Sequence, residues 1–230
     1  MIIYGKNVII EAIKAKRTFY KLMIDHRMSD AHLKKYLERV SIHIDKVDKG
    51  HLNNLTNHAV HQGIVAEVEP YQYKKIEDIL DMPNGKFLIL DSIEDPHNLG
   101  AIIRSADAMG LDAIIMSQKQ QVPLNATVAK VSTGAIEYVP IVLVPQLFKG
   151  ISMLKDAGIK IYGTDMKDAI SYQEATYDGS VAIILGNEGK GIRNSIKPLC
   201  DNMIMIPMKG HVQSLNVSVA AALIMQALTQ

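Results

Sequence analysis

Apolar positions along the chain follow two rhythms. Up to about Pro70 the periods are short and mixed. Val8, Ile9, Ala12 and Ile13 share one helical face, and Leu33, Tyr36, Leu37 and Val40 fall at i, i+3, i+4 and i+7. Ile42 and Ile44, then Ile64, Ala66 and Val68, alternate as half-buried strands do. From Phe87 onward the apolar runs are continuous: Phe87–Leu90, Ala113–Met116, Ile159–Tyr162, Val181–Leu185 and Met203–Ile206. These read as buried strands. Amphipathic stretches at Leu99–Met109, Leu147–Ala157 and Leu215–Leu228 read as helices between and after them. Alternating strand and helix predicts an α/β domain with a mostly parallel sheet and helices on both faces. Between the two rhythms lies PYQYKKIEDILDMPNG, polar, proline-flanked and ending in turn residues. The pattern therefore divides the chain into a small α/β unit (residues 1–70), a linker (71–83) and a larger domain (84–230).

Composition narrows the classes. Hydrophobic residues make up 48% and charged residues 21% of 230, a soluble globular balance. A formal net charge of +1 excludes a binder driven by a strongly basic tail, while leaving room for a local basic patch. The single cysteine, Cys200, allows no intrachain disulfide and no Cys-rich zinc site, which fits a reducing compartment. The opening MIIYGKNVIIEAIKAKR lacks a signal peptide's apolar core, and no apolar run is long enough to span a membrane. The expected address is the cytoplasm.

The candidate chemistry follows three of the expected strands. DSIEDPHNLGAIIRSADAMG (91–110) has a turn shaped by Pro96 and Asn98. A helix follows, with Arg104 on its polar face and within reach of that turn. LGNEGKGI (185–192) runs from a strand end into Gly186, Gly189 and Gly191 around Glu188. IPMKGHVQSLNVSVAAA (206–222) passes through a glycine turn to a helix opened by Ser214 and Asn216. Each element also has a plainer account. Ser214 suits a helix N-cap, Asn98 a turn or cap, the glycines tight backbone, and Glu188 and Arg104 solvated charges. Together they put polar groups and close-approach backbone at the ends of strands in one sheet, where α/β proteins bind ligands.

Other sites fit less well. In GNEGKGI, Lys190 precedes glycine rather than Ser or Thr, so it is not a P-loop. No dinucleotide fingerprint G-x-G-x-x-G follows a first strand, and no G-x-S-x-G supplies a serine nucleophile. His97 and His211 lack a second ligand at metal spacing.

These three stretches, in this order, resemble the signature motifs of the SpoU (TrmH-like) family of RNA ribose methyltransferases, in the SPOUT superfamily. The resemblance rests on Asp95-Pro96-x-Asn98-x-Gly100-Ala101-x-x-Arg104-Ser105, on Gly186-Asn187-Glu188-Gly189, and on Ser214-Leu215-Asn216-Val217-Ser218-x-Ala220. Gly5, Asn7, Glu11, Ala12 and His61-Gln62-Gly63 resemble the opening and end of the small RNA-recognition domain in one subgroup. That subgroup contains the bacterial 23S rRNA guanosine 2′-O-methyltransferases. The resemblance implies a SPOUT-type catalytic domain with a C-terminal trefoil knot, preceded by an RNA substrate-recognition domain. It implies S-adenosylmethionine as cofactor, no metal, and a homodimer. It places Thr164, Leu185, Gly186, Gly189, Ile206, Met208 and Leu215 around the cofactor, and Asn98, Arg104, Glu188, Ser214 and Asn216 at the reaction centre.

Two of these implications also have support in the residues. The final helix has almost no polar face and must be buried on several sides. That points to pairing across a two-fold axis, with a central helix inside one subunit as the alternative. Arginine is almost always protonated, so Arg104 is expected to anchor a phosphate and developing charge rather than to act as the base. Lys14, Lys16, Arg17 and Lys21 form a local basic cluster for RNA phosphates, with an exposed helix end as the alternative. Competing functions are a tRNA ribose methyltransferase of the same family, a non-catalytic RNA-binding protein of this fold, and a nucleotide-binding metabolic enzyme. The last lacks its glycine fingerprint.

Overall fold

The computed structural model describes residues 1–187, 191–211 and 214–230. The chain forms two compact units: Met1–Tyr71 together with Leu124–Tyr138, and Gln72–Pro123 together with Val139–Gln230.

In the first unit the strands are β1 (Ile2–Tyr4), β2 (Phe19–Asp25), β3 (Ile44–Val47) and β4 (Ile64–Val68). Its helices are α1 (Lys6–Lys14), α2 (Ala31–Leu37), α3 (Lys49–Leu55) and, from the later segment, α5 (Ala126–Val131). The sheet order is β1-β4-β2-β3, antiparallel except for the parallel β2/β3 pair. The expected helical faces are the buried ones: Val8, Ile9 and Ala12 on α1, Leu33 and Leu37 on α2. Strands β1 and β2 and helix α3 were not evident from periodicity, being three residues long, half-exposed and seven residues long respectively.

Arg17 joins segment 124–138 to this unit. Its guanidinium pairs with Glu137 at 2.8 Å, both side chains being nearly buried (7% and 5% exposed). It also donates to the Glu69 carbonyl and lies 3.5 Å from the Tyr71 ring centroid. The Tyr71 hydroxyl donates to the same Glu137 oxygen at 2.9 Å. Burial holds the Tyr71 phenol far above its ordinary range, so it stays protonated and remains a donor. Arg17 thus belongs to a buried network rather than to an open basic cluster. Lys14 pairs with Glu11 and Lys21 with Asp45. Of the basic cluster read from the sequence, Arg17 is buried, while Lys14 and Lys21 stay about half-exposed beside their carboxylates.

In the second unit, β5 (Lys86–Leu90), β6 (Ala113–Ser117), β7 (Ile141–Val144), β8 (Lys160–Thr164), β9 (Ile170–Ser171), β10 (Val181–Leu185) and β11 (Asn202–Met205) form one sheet. Helices α4 (Pro96–Ala108), α6 (Leu147–Asp156) and α7 (Val217–Leu228) complete it. The strand order is β7-β6-β5-β10-β8-β11-β9, and all of these pairings are parallel. The continuous apolar runs have the expected burial: every residue of β6 and β10 is buried. One face of the sheet packs Phe87, Ile89, Ile115, Val142 and Ile184 against Leu147, Ile151 and Leu154 of α6. Residues 71–83 are not a free tether. Ile76 and Ile79 are buried in this core, and Lys74 bridges to Val142. Tyr71, in contrast, belongs to the first unit.

Candidate active site

The carboxyl ends of β5, β8, β10 and β11 carry the site. Strand β10 ends at Leu185 and the chain enters Gly186. A Cβ on Gly186 would collide with the Gly191 carbonyl carbon and the Ile192 nitrogen. The chain therefore folds back on itself here, closed by the Gly191 N–H donating to the Asn187 carbonyl at 2.8 Å. Only glycine fits at 186, because its neighbour is main chain that cannot move aside. Gly191 has φ +62°, the left-handed region that favours glycine. Gly189 and Glu188, both expected at the site, lie outside the described residues.

This turn is tied to the end of β5. Asp91, fully buried, forms an ion pair with Arg193 at 2.7 Å. Its other oxygen accepts from the Arg193 backbone N–H at 2.9 Å. The Asn187 amide donates to the Ser92 carbonyl at 3.0 Å. A buried carboxylate holding both the side chain and the main chain of one arginine fixes the loop beyond the glycines. Arg193 is thus a structural cation, distinct in surroundings from Arg104.

Helix α4 begins earlier than periodicity predicts. Asp95 is its N-cap, accepting from the His97 N–H at 2.9 Å, and Pro96 occupies the first turn. Asn98 is therefore inside the first turn of the helix rather than in a preceding loop. Helix α7 begins later than predicted: Asn216, not Ser214, is its N-cap and accepts from the Ser218 N–H at 2.9 Å. The Asn216 side-chain NH₂ then donates to the Asn98 side-chain oxygen Oδ1 at 3.0 Å. Two expected site residues are brought together by this bond between helix starts.

Beside this bond opens a cavity of about 290 Å³. Thr164, Leu185, Gly186, Ile206, Met208 and Leu215, all expected around a cofactor, line it, and so does Ser214. The remaining wall is mainly apolar, including Met205, Val217, Ala220 and Ile224. The Thr164 hydroxyl donates to the Ile184 carbonyl at 3.0 Å, fastening β8 to β10 at the cavity edge. Sequence reading missed the one charged pair in the described lining, Lys197 with Asp165 at 2.5 Å. The Lys197 ammonium holds the Asp165 carboxyl below its ordinary value, so the carboxylate is ionised at neutral pH. Asp165 directly follows β8, so the rule that ligands gather at strand ends could have found it. Arg104 lies elsewhere. It is exposed on α4, six residues or about 9 Å of helix rise beyond Asn98, and does not line the cavity.

The cavity can take a flat heteroaromatic group. It is apolar, with main-chain polar groups at its strand ends and an ion pair at one side, the composition of a small-molecule site. Among the described residues, no cluster of His, Cys, Asp and Glu could hold a metal ion.

Comparison with known proteins places this architecture. The SpoU rRNA Methylase family matches residues 85–226, and the RNA 2′-O ribose methyltransferase substrate binding domain matches residues 2–74. The chain belongs to the SpoU rRNA methylase family and is an RNA methyltransferase of the SpoU/TrmH type. A protein of Staphylococcus aureus (strain COL), assigned to the TrmH family of tRNA/rRNA methyltransferases, is 41% identical over 97% of this chain and 93% of its own length. The SpoU methyltransferase AviRb from Streptomyces viridochromogenes, solved in complex with AdoMet, superposes with a TM-score of 0.86 at 25% identity. That match covers 100% of this chain and 89% of AviRb. An AdoMet-bound rRNA methyltransferase from Sinorhizobium meliloti shares the fold, with a TM-score of 0.84 at 22% identity over 99% of this chain and 85% of its own.

Proposed function

We propose that this protein transfers a methyl group from S-adenosylmethionine to the ribose 2′-hydroxyl of an RNA nucleotide, a guanosine in 23S rRNA. The observation that carries the reading is the cavity built jointly by the ends of β8, β10 and β11 and the start of α7. It gathers the motif residues Leu185, Gly186, Ser214 and Leu215 in one place, with an apolar wall suited to adenine. Thr164, Leu185, Gly186, Gly189, Ile206, Met208 and Leu215 would hold the cofactor. When bound, it supplies a methyl group already activated on a sulfonium, so no metal and no covalent enzyme intermediate are required.

The chain's own task is to align the ribose oxygen and assist loss of its proton. With the bound cofactor supplying the methyl group to the 2′-oxygen and keeping the carbon–sulfur electron pair, the hydroxyl proton would leave to solvent or a neighbouring acceptor. Arg104 anchors the adjacent phosphate and stabilises charge developing on the oxygen. Its exposure suits a group that meets RNA rather than cofactor. Asn98, oriented by Asn216, positions the ribose, while Glu188 and Ser214 order the loops around it.

Two structural implications of the family belong to this proposal. The insertion of β10 between β5 and β8, and of β11 between β8 and β9, is compatible with a knotted C-terminal segment. A homodimer is favoured by α7, where Val219 is 48% exposed and Ala222 and Leu223 remain half-buried on an otherwise apolar helix. The proposed setting is the cytoplasm; among the described residues, no helix is long and apolar enough to cross a membrane.

Calorimetry with S-adenosylmethionine and transfer of a labelled methyl group to rRNA from cells lacking the gene test the reading. Binding and transfer that persist in chelator are expected. Label appearing in tRNA alone would move the target, and RNA binding without transfer would leave a non-catalytic protein.

A further inference from the structure

The first unit holds a hollow of about 730 Å³. Lys6, Arg27, Met28, Lys49, Asn53 and the segment His58–Gly63 border it. Its rim has an unusual backbone. Asn57, His58 and Gln62 have φ of 50°, 60° and 58°, all left-handed without being glycine, and Gly63 has φ 79°. Such conformations cost free energy and gather where a loop shapes a ligand site. Val60 projects into solvent at 77% exposure, while His61 next to it is only 4% exposed.

The hydrogen bonds of His61 fix its tautomer. The Gly63 backbone N–H donates to Nδ1 at 3.0 Å, so Nδ1 carries no proton. Nε2 therefore carries the proton and donates to the Asn53 side-chain oxygen Oδ1 at 2.9 Å. That contact orients the Asn53 amide: its oxygen faces His61, and its NH₂ group, a double donor, is on the opposite side of the amide. The acidic groups around the hollow are already engaged. Asp30 pairs with Lys6 and caps α2, and Asp25 accepts from the Arg27 backbone N–H. Lys49, at the start of α3, and Arg27, after β2, are exposed and supply the positive charge at its mouth. Met28 and Ala59 add apolar wall.

We propose that this hollow captures an unpaired nucleotide of the RNA substrate, remote in sequence from the methylation residues. Its phosphate meets Arg27 and Lys49, its base packs on Met28, Ala59 and Val60, and the Asn53 amide donates to an acceptor on the base edge. A hydrogen-bonding edge and apolar wall suit an extruded base, which a paired strand cannot offer. The inference rests on the reading of the chain as an RNA-modifying enzyme and names where in the first unit the substrate is held. It replaces the cluster around Arg17 as the phosphate contact.

The test uses the full chain with Arg27→Ala and Lys49→Ala combined. Both residues are on the surface, so the fold should survive, and neither belongs to the cavity of the second unit. Methylation of undermethylated rRNA should show KM for RNA raised roughly tenfold. The salt dependence of binding should fall by about two phosphate contacts. The value of kcat at saturating RNA and the affinity for S-adenosylmethionine should be unchanged. Photocrosslinking with 4-thiouridine-substituted rRNA should label the peptide spanning 57–63. An unchanged KM and salt slope, or crosslinks confined to other segments, overturns the inference. If the unaltered protein methylates no RNA, the functional reading itself fails.

Discussion

Arg104 and Arg193 are the only arginines beyond residue 83, and their surroundings separate their roles. Arg193 is committed to the buried Asp91, whereas Arg104 is exposed on α4. Removing a donor to developing charge in a reaction centre lowers turnover by roughly 10²–10³-fold, and that is the loss expected for Arg104→Ala. Affinity for S-adenosylmethionine should stay within about twofold, because Arg104 does not line the cavity. Arg104→Lys should restore little, since lysine lacks the planar fork that holds two oxygens at once. Steady-state kinetics decide this, and near-normal turnover in Arg104→Ala would remove the residue from the mechanism. His61 offers a second residue-level test. Burial lowers its pKa below the ordinary 6.5, so the folded state prefers the neutral ring. Its contribution to stability is complete above pH 6.5 and shrinks as pH falls below 6.5 toward the folded pKa. Side-chain NMR should show His61 titrating below 6.5, with the Gly63 amide resonance moving in step.

At the level of elements, long buried runs were legible and short or half-exposed ones were not. Phe87–Leu90 and Val181–Leu185 announce β5 and β10 because burial on both faces demands continuous apolar residues. Strand β9 has two residues and no pattern of its own, and β7 is a four-residue run that the sequence reading passed over. The starts of α4 and α7 were misplaced by a few residues because Asn98 and Ser214 both suit a cap. Asp95 and Asn216 hold those positions instead. Segment 124–138 is the plainest case of information absent from local sequence. Its place in the first unit rests on contacts far apart in sequence, among them Glu137 with Arg17, a pair 120 residues apart, and Lys130 with Gln62. Arg17→Ala would leave Glu137 buried without its cation, at a cost of about 3 kcal/mol in denaturant unfolding. A loss below about 1 kcal/mol would mean that Tyr71 alone satisfies Glu137. A fragment of residues 72–230 retains the cavity residues and the buried Ile76 and Ile79 but strips 124–138 of its partners. It is expected to bind S-adenosylmethionine while limited proteolysis cuts within 124–138, whereas the full chain resists cleavage there.

For the whole molecule, the three motif stretches, although far apart in sequence, converge because parallel strands present their carboxyl ends on one edge of the sheet. The family resemblance named most of the cavity, as with Thr164, Gly186 and Met208, and did not include the Asp165–Lys197 pair, whose partners come from separate loops. The sequence suggested RNA recognition in the first unit around Lys14, Lys16, Arg17 and Lys21; the burial of Arg17 by Tyr71 and Glu137 cannot be read from charge alone. The central claim is that the protein places a 2′-O-methyl group on RNA. Ribose methylation mapped across ribosomal and transfer RNA, in cells with and without the gene, tests it most directly. The account predicts one 23S rRNA guanosine that loses its 2′-O-methyl group without the gene and regains it with the wild-type copy but not with Arg104→Ala. An unchanged methylation map in every RNA would contradict it.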